Sequence, residues 1–82
     1  MKFQADVQVI LKDGVLDPQG QTIGRALAEL GFDSIIRVNT GRIFKLEIDA
    51  ESEAMVREIV GNAASKLLAN PVIEDYKIEV IR

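Results

Sequence analysis

Two residue types that carry much of enzyme chemistry are missing here. The 82 residues contain no cysteine and no histidine. No disulfide can form, and no thiolate or imidazole can bind metal or attack a substrate. Thiol catalysis and imidazole-assisted relays are excluded with them. Aromatic residues make up 5% of the chain, too few for the stacking platforms on which sheet surfaces hold RNA. Positive charge is in the minority: 10 Lys and Arg against 13 Asp and Glu leave a net charge of −3. An acidic surface repels phosphate backbones and anionic lipid, so neither nucleic acid nor membrane is an expected partner. No apolar run approaches the roughly 20 residues of a membrane span. The opening MKFQADVQ lacks the apolar core of a secretory signal, and a cytoplasmic protein is expected.

What is present reads as one globular domain over residues 1–82. Hydrophobic residues are 48% and charged residues 28%, which rules out a disordered tail. A domain this small buries only about 60–65% of the surface its unfolded chain exposes. A deep enclosed active site is not expected, and association with copies of itself or with larger chains would add burial.

The periodicity predicts β-α-β-β-α-β. Residues 3–12 alternate, with Phe3, Ala5, Val7, Val9 and Leu11 on one face. Residues 18–30 place Ile23, Ala26, Leu27 and Leu30 on one helical stripe, and Gly31 suits the left-handed residue that ends it. Residues 35–38 are a short strand, and Asn39-Thr40-Gly41 supplies positive-φ residues for a tight hairpin. Residues 42–49 return with Phe44, Leu46 and Ile48 inward. Asp49 is the expected cap of a second helix over residues 50–69, with Glu51 in its first turn and Val56, Ile59, Val60, Ala63 and Leu67 on its stripe. Gly61 inside it costs about 1 kcal/mol relative to alanine, and a close packing contact would explain its presence. Asn70 is read as a left-handed cap, and Pro71 forbids continuation. Residues 72–81 form the last strand, with Tyr76, Ile78 and Val80 inward and a bend near Glu74. The fold class is α+β, a ferredoxin-like sandwich of four antiparallel strands with both helices on one face. On the exposed face Ile10, Ile43 and Ile81 would form an apolar patch, a candidate subunit contact.

The junction DPQG carries the first chemical signal. Asp17 accepts from the free N–H groups of the first turn, and Pro18 fits the first helical position. Capping does not account for Gly20, whose missing side chain would admit another chain or an anion. Gly41-Arg42 reads as a turn with an exposed cation, or as a cation offered to an acidic partner. Glu74 and Asp75 point to opposite faces and cannot act as a pair. Asp13 and Asp17 lack a third ligand and read as solvated surface. A metal chaperone of this plan needs paired cysteines. An acyl-phosphate hydrolase needs an arginine in the first strand–helix loop, where this chain has Gly14-Val15-Leu16-Asp17.

Three segments together, LKDGVLDPQG at 11–20, VNTGRI at 38–43 and LLANPVIEDYKIEV at 67–80, resemble the PurS family, the small S subunit of phosphoribosylformylglycinamidine synthase. The likeness spans nearly the whole chain, and its first and last segments are the specific ones. Where the family often has lysine this chain has Arg42, which keeps the charge. The resemblance implies a non-catalytic subunit in the fourth step of de novo purine synthesis. Formylglycinamide ribonucleotide, ATP and glutamine there become the amidine, ADP, phosphate and glutamate. A glutaminase subunit and a large ATP-dependent synthetase subunit carry the chemistry. The small subunit joins them so that ammonia can pass, and it self-associates as a dimer or tetramer. No cofactor is bound by this chain under that reading; ATP and Mg are used by the complex. Candidate interface residues are Asp17, Pro18, Gln19, Gly20, Arg42, Asn70, Pro71, Glu74 and Tyr76. The alternative is a small-molecule-sensing regulatory domain of the same architecture, binding through the first strand–helix loop at a dimer interface.

Overall fold

The structure, a computed structural model, describes residues 1–81. Strand β1 (Lys2–Leu11) is followed by helix α1 (Pro18–Glu29), strand β2 (Gly41–Asp49), helix α2 (Glu53–Ala63) and strand β3 (Glu74–Ile81). Residues Ala64–Leu68 prolong α2 by a wider π turn, closed by the Ala69 N–H on the Ala64 carbonyl at 2.9 Å. The sheet has three antiparallel strands in the order β2-β1-β3.

β1 is central because its inward residues meet partners on both sides. Val7 lies opposite Phe44 and Ile78, and Ala5 opposite Leu46 and Val80. α2 covers this face. Phe3, Ala5, Val7 and Val9 pack with Val56, Val60 and Ala64 into the buried core, ringed by Phe44, Leu46, Ile48, Leu68, Ile78 and Val80. Each fully buried valine contributes about 1.5–3 kcal/mol.

The fourth strand is absent among the described residues, which corrects the four-stranded sandwich. Residues 35–38 do not extend the sheet, and Val38 lies against α1 instead. The Val38 carbonyl is seated on Gly20, and the Val38 side chain lies beside Gly24. No hairpin joins this segment to β2: among the described residues only Gly14 and Gly31 have positive φ, so neither Asn39 nor Gly41 adopts the expected turn conformation. The second helix on the face is a further correction. α1 makes no extensive contact with the other elements, and Gly20 is its only buried residue. α1 and residues 31–40 form an arm. The molecule measures 50 × 26 × 14 Å with a radius of gyration of 16.2 Å, against about 12 Å for a compact domain of this length.

Helix ends follow local chemistry. α1 stops as read: Gly31 has φ +95°, its N–H meets Ala28, and the Phe32 N–H meets Leu27, a full Schellman closure. α2 starts later than read. Asp49 ends β2 and pairs with the N-terminal ammonium at 3.3 Å, and Ala50 is buried with its N–H on Met1. The chain is thus still tied to β1, and Ser52 becomes the cap, accepting from the Met55 N–H at 3.2 Å. Glu53, not Glu51, occupies the first turn. Gly61 has only the Ile78 δ-carbon near its free side, at 4.0 Å, so no close contact demands it. On the outer face Ile10 and Ile43 are diagonal neighbours, opposite Gly41 and Gln8. Ile81 lies opposite Gln4, about 20 Å further along β1, and the three-residue patch does not form.

Candidate functional site

α2 leaves one end of the inner sheet face uncovered, and the three motif segments meet there. Alternation along β2 puts Arg42 on the same face as Phe44, and alternation along β3 does the same for Glu74 and Tyr76. Val9 of β1 is flanked by Arg42 on one side and Tyr76 on the other, and Leu11 lies opposite Glu74. Tyr76 points inward as read, yet stays 40% exposed because no helix reaches it. Gly41 is required at the start of β2: a Cβ there would stand 2.7 Å from the Val9 carbonyl.

Arg42 and Glu74 bridge the sheet across β1. The guanidinium donates to both Glu74 oxygens at 3.2 and 2.9 Å and lies 5.5 Å from the Phe44 ring centre. Glu74 is the fixed member, its side chain only 14% exposed. Its Oε1 also accepts from the Asn70 N–H at 2.7 Å, while its own N–H donates to the Asn70 carbonyl at 2.7 Å. Asn70 is therefore not a left-handed cap, and no non-glycine residue among those described has positive φ. Its side chain accepts from the Val72 N–H at 3.0 Å and folds the Asn70-Pro71 turn. That turn holds Val72 and Ile73 out of the strand, which is the bend read near Glu74.

Asp17 starts α1 as expected, with Pro18 at the first position and the Gly20 N–H on Oδ1 at 2.9 Å. It also does something the sequence does not announce. Its Oδ2 accepts from the Thr40 N–H at 2.7 Å, and the Thr40 hydroxyl lies 3.0 Å from both oxygens. These bonds hold the carboxyl below its ordinary value of 3.8. The Thr40 N–H contributes most and the Gly20 N–H next; burial opposes them and the Thr40 hydroxyl adds to the lowering. Thr40 is the residue missed by sequence reasoning, which spent it on a hairpin. Gly20 is likewise answered from within: an added Cβ would stand 2.3 Å from the Val38 carbonyl.

The structure thus brings Asp17, Pro18, Gln19, Arg42 and Glu74 around one open hollow of about 270 Å³ walled by Val9 and Leu11. Asn70 joins them through Glu74, and Tyr76 stands beside Val9. Gly20 lies beneath this surface, buried. Pro71 is exposed on the adjoining turn. No group of three or more carboxylates suited to a metal occurs among the described residues. The arrangement is a rim of fixed polar groups around an apolar floor, suited to contact with another surface.

Comparison with known proteins agrees with the motifs. The PurS family, described as phosphoribosylformylglycinamidine (FGAM) synthase, matches residues 4–82. The PurS subunit of that synthase from Methanocaldococcus jannaschii is 46% identical over 95% of this chain and 94% of its own. Its crystal structure, described as one of the subunits of formylglycinamide ribonucleotide amidotransferase, superposes with a TM-score of 0.87 over 98% of this chain and 96% of that one. A chain in the structure of PurLQS from Thermotoga maritima superposes with a TM-score of 0.91 at 33% identity, covering 99% of both chains. The chain belongs to the PurS family, the small subunits of phosphoribosylformylglycinamidine synthase.

Proposed function

We propose that this chain is the non-catalytic assembly subunit of a cytoplasmic phosphoribosylformylglycinamidine synthase, joining a glutaminase subunit to a large synthetase subunit for ammonia transfer. ATP and Mg belong to the synthetase, and this chain supplies surface and geometry. The observation that carries the reading is the end-to-end likeness to a chain of the PurLQS structure. The contact surface is the uncovered sheet end, with Arg42 and Tyr76 exposed on it, Gln19 and Pro18 at the root of α1, and Asn70-Pro71 on the adjoining turn.

Self-association is the role of the arm. Leu30, Phe32 and Ile36 lie on it, Leu30 74% and Ile36 96% exposed, with Ile23 and Ile35 beside them. A chain that carries an unburied apolar arm can bury it against the same arm of a second copy in a two-fold pair, since such contacts are self-complementary. In a mixture of the three proteins, Arg42→Glu is expected to weaken co-sedimentation with the larger subunits while the isolated chain, though less stable for the lost pair with Glu74, keeps its folded circular-dichroism spectrum. Unchanged assembly would remove the sheet end from the interface.

One observation favours the sensor alternative. An open cleft of about 420 Å³ lies beside the first strand–helix loop, lined by Lys12, Gly14, Gln21, Arg37 and Asn39 among others. Calorimetry with free amino acids and nucleotides separates the two readings, since micromolar binding would favour the sensor.

A further inference from the structure

The arm is attached to the body at its root alone. Two covalent connections enter it, at residues 12–17 and 38–41, and α1 gains little from packing on the sheet. Two chain connections with little packing leave an element free to swing. What opposes swinging here is one carboxylate. Asp17 opens the outgoing connection and Thr40 closes the returning one, 23 residues later, and they meet through the 2.7 Å and two 3.0 Å contacts. The Val38 carbonyl is seated on Gly20, which brings the returning segment against the first turn of α1. On the body side, the Lys12 N–H is tied to the Ile73 carbonyl at 2.8 Å and Gly41 is pressed on Val9. The two connections are therefore anchored to the sheet on one side and clasped to each other on the other.

We infer that the Asp17–Thr40 clasp is a positioning device, which sets the direction of the arm relative to the sheet so that its apolar residues reach a second copy in one orientation. An N-cap alone would need only the Gly20 N–H; the extra bonds to Thr40 add nothing to the start of a helix. They do remove orientational freedom before association, and freedom lost beforehand is not lost on binding. Asp17 and Thr40 act through the direction they give the arm. The inference rests on the reading that the arm docks on another copy.

The test uses the full chain with three variants. Asp17→Ser keeps a capping oxygen for Gly20 but is too short to reach Thr40. Thr40→Val keeps the shape and removes the hydroxyl bonds, and Thr40→Ser restores them. Amide hydrogen exchange is read separately for the arm, residues 18–38, and for β1 and β2, alongside the dissociation constant of the self-associated form by sedimentation. Asp17→Ser is expected to speed exchange in the arm by about tenfold and to weaken self-association by about tenfold, Thr40→Val, which keeps the Thr40 N–H bond, to do both by about threefold, and each to leave the strands within about twofold. Thr40→Ser should match the parent chain. Arm exchange and association within twofold of the parent in both disruptive variants would overturn the inference. Equal acceleration in arm and strands would also overturn it, by making the bond one of general stability. A parent chain that stays monomeric at every concentration would instead defeat the docking reading, and the exchange data would still decide whether the clasp holds the arm.

Discussion

The body and the arm of this chain are written in the same code and meet different fates. Both helices carry an apolar stripe at helical spacing. The stripe of α2 finds the inner face of the sheet and buries Val56 and Val60 completely; that of α1 finds no sheet, α1 meets little beyond Val38 of its own returning segment, and only Gly20 is buried. Amphipathic patterning thus states that a face will be covered and leaves open which molecule covers it. The difference lies in the connections. α2 is held at both ends by chain that pairs in the sheet, at Ala50 through Met1 and at Asn70 through Glu74. α1 leaves through a loop and returns through a segment that packs on itself.

The largest effect that sharpens this contrast is a matched pair of charges. Val56→Asp places an unpaired carboxylate in the body core, at a cost of several kcal/mol, and is expected to abolish the cooperative unfolding transition. Leu30→Asp on the arm is expected to leave that transition in place and to abolish self-association in sedimentation. If Leu30→Asp unfolds the chain as well, arm and body are one unit. Glu74→Ala comes next. It strands Arg42 and the Asn70 N–H together and should lower the stability of the body by about 1–2 kcal/mol in urea denaturation.

A smaller effect concerns acidity. The Asp17 carboxyl is depressed below 3.8 by its bonds to Thr40 and Gly20. A depressed carboxyl contributes stability that is complete above the unfolded value and lost as pH falls through the folded one. Amide exchange in the arm should therefore rise as pH falls below about 4, beyond the intrinsic trend, and Asp17→Asn should remove the step. The smallest effect is favourable. Gly61→Ala meets only ordinary contact with Ile78 and should stabilise the body by about 0.5–1 kcal/mol, read as a raised thermal midpoint.

Elements with strong periodicity were legible, and so was local capping at Asp17 and Gly31. β1 carries clean alternation between good turn residues, and its core-facing residues were read one by one. The failures share a cause: each depended on a contact between residues far apart in the chain. Residues 35–38 have strand composition, but Val38 is drawn to Gly20 and Thr40 to Asp17, and no spacing in the sequence encodes that meeting. Asp49 and Ser52 are both good caps, and pairing of Ala50 with Met1 chose between them. Asn70 has the chemistry of a left-handed cap, yet Glu74 accepts its N–H and the Asn70 side chain folds a turn onto the Val72 N–H. At the candidate site the motifs themselves were legible. Their convergence on one end of one sheet face was not, because it follows from the register of three strands.

The central claim is that this chain contributes geometry while bond-making happens on other subunits. The most direct measurement is glutamine-dependent amidine formation by purified glutaminase and synthetase, with and without this chain. The chain alone should form no product, the two larger proteins together should be slow, and adding the chain should restore turnover saturably. Turnover by the chain alone, or equal rates with and without it, would contradict the account.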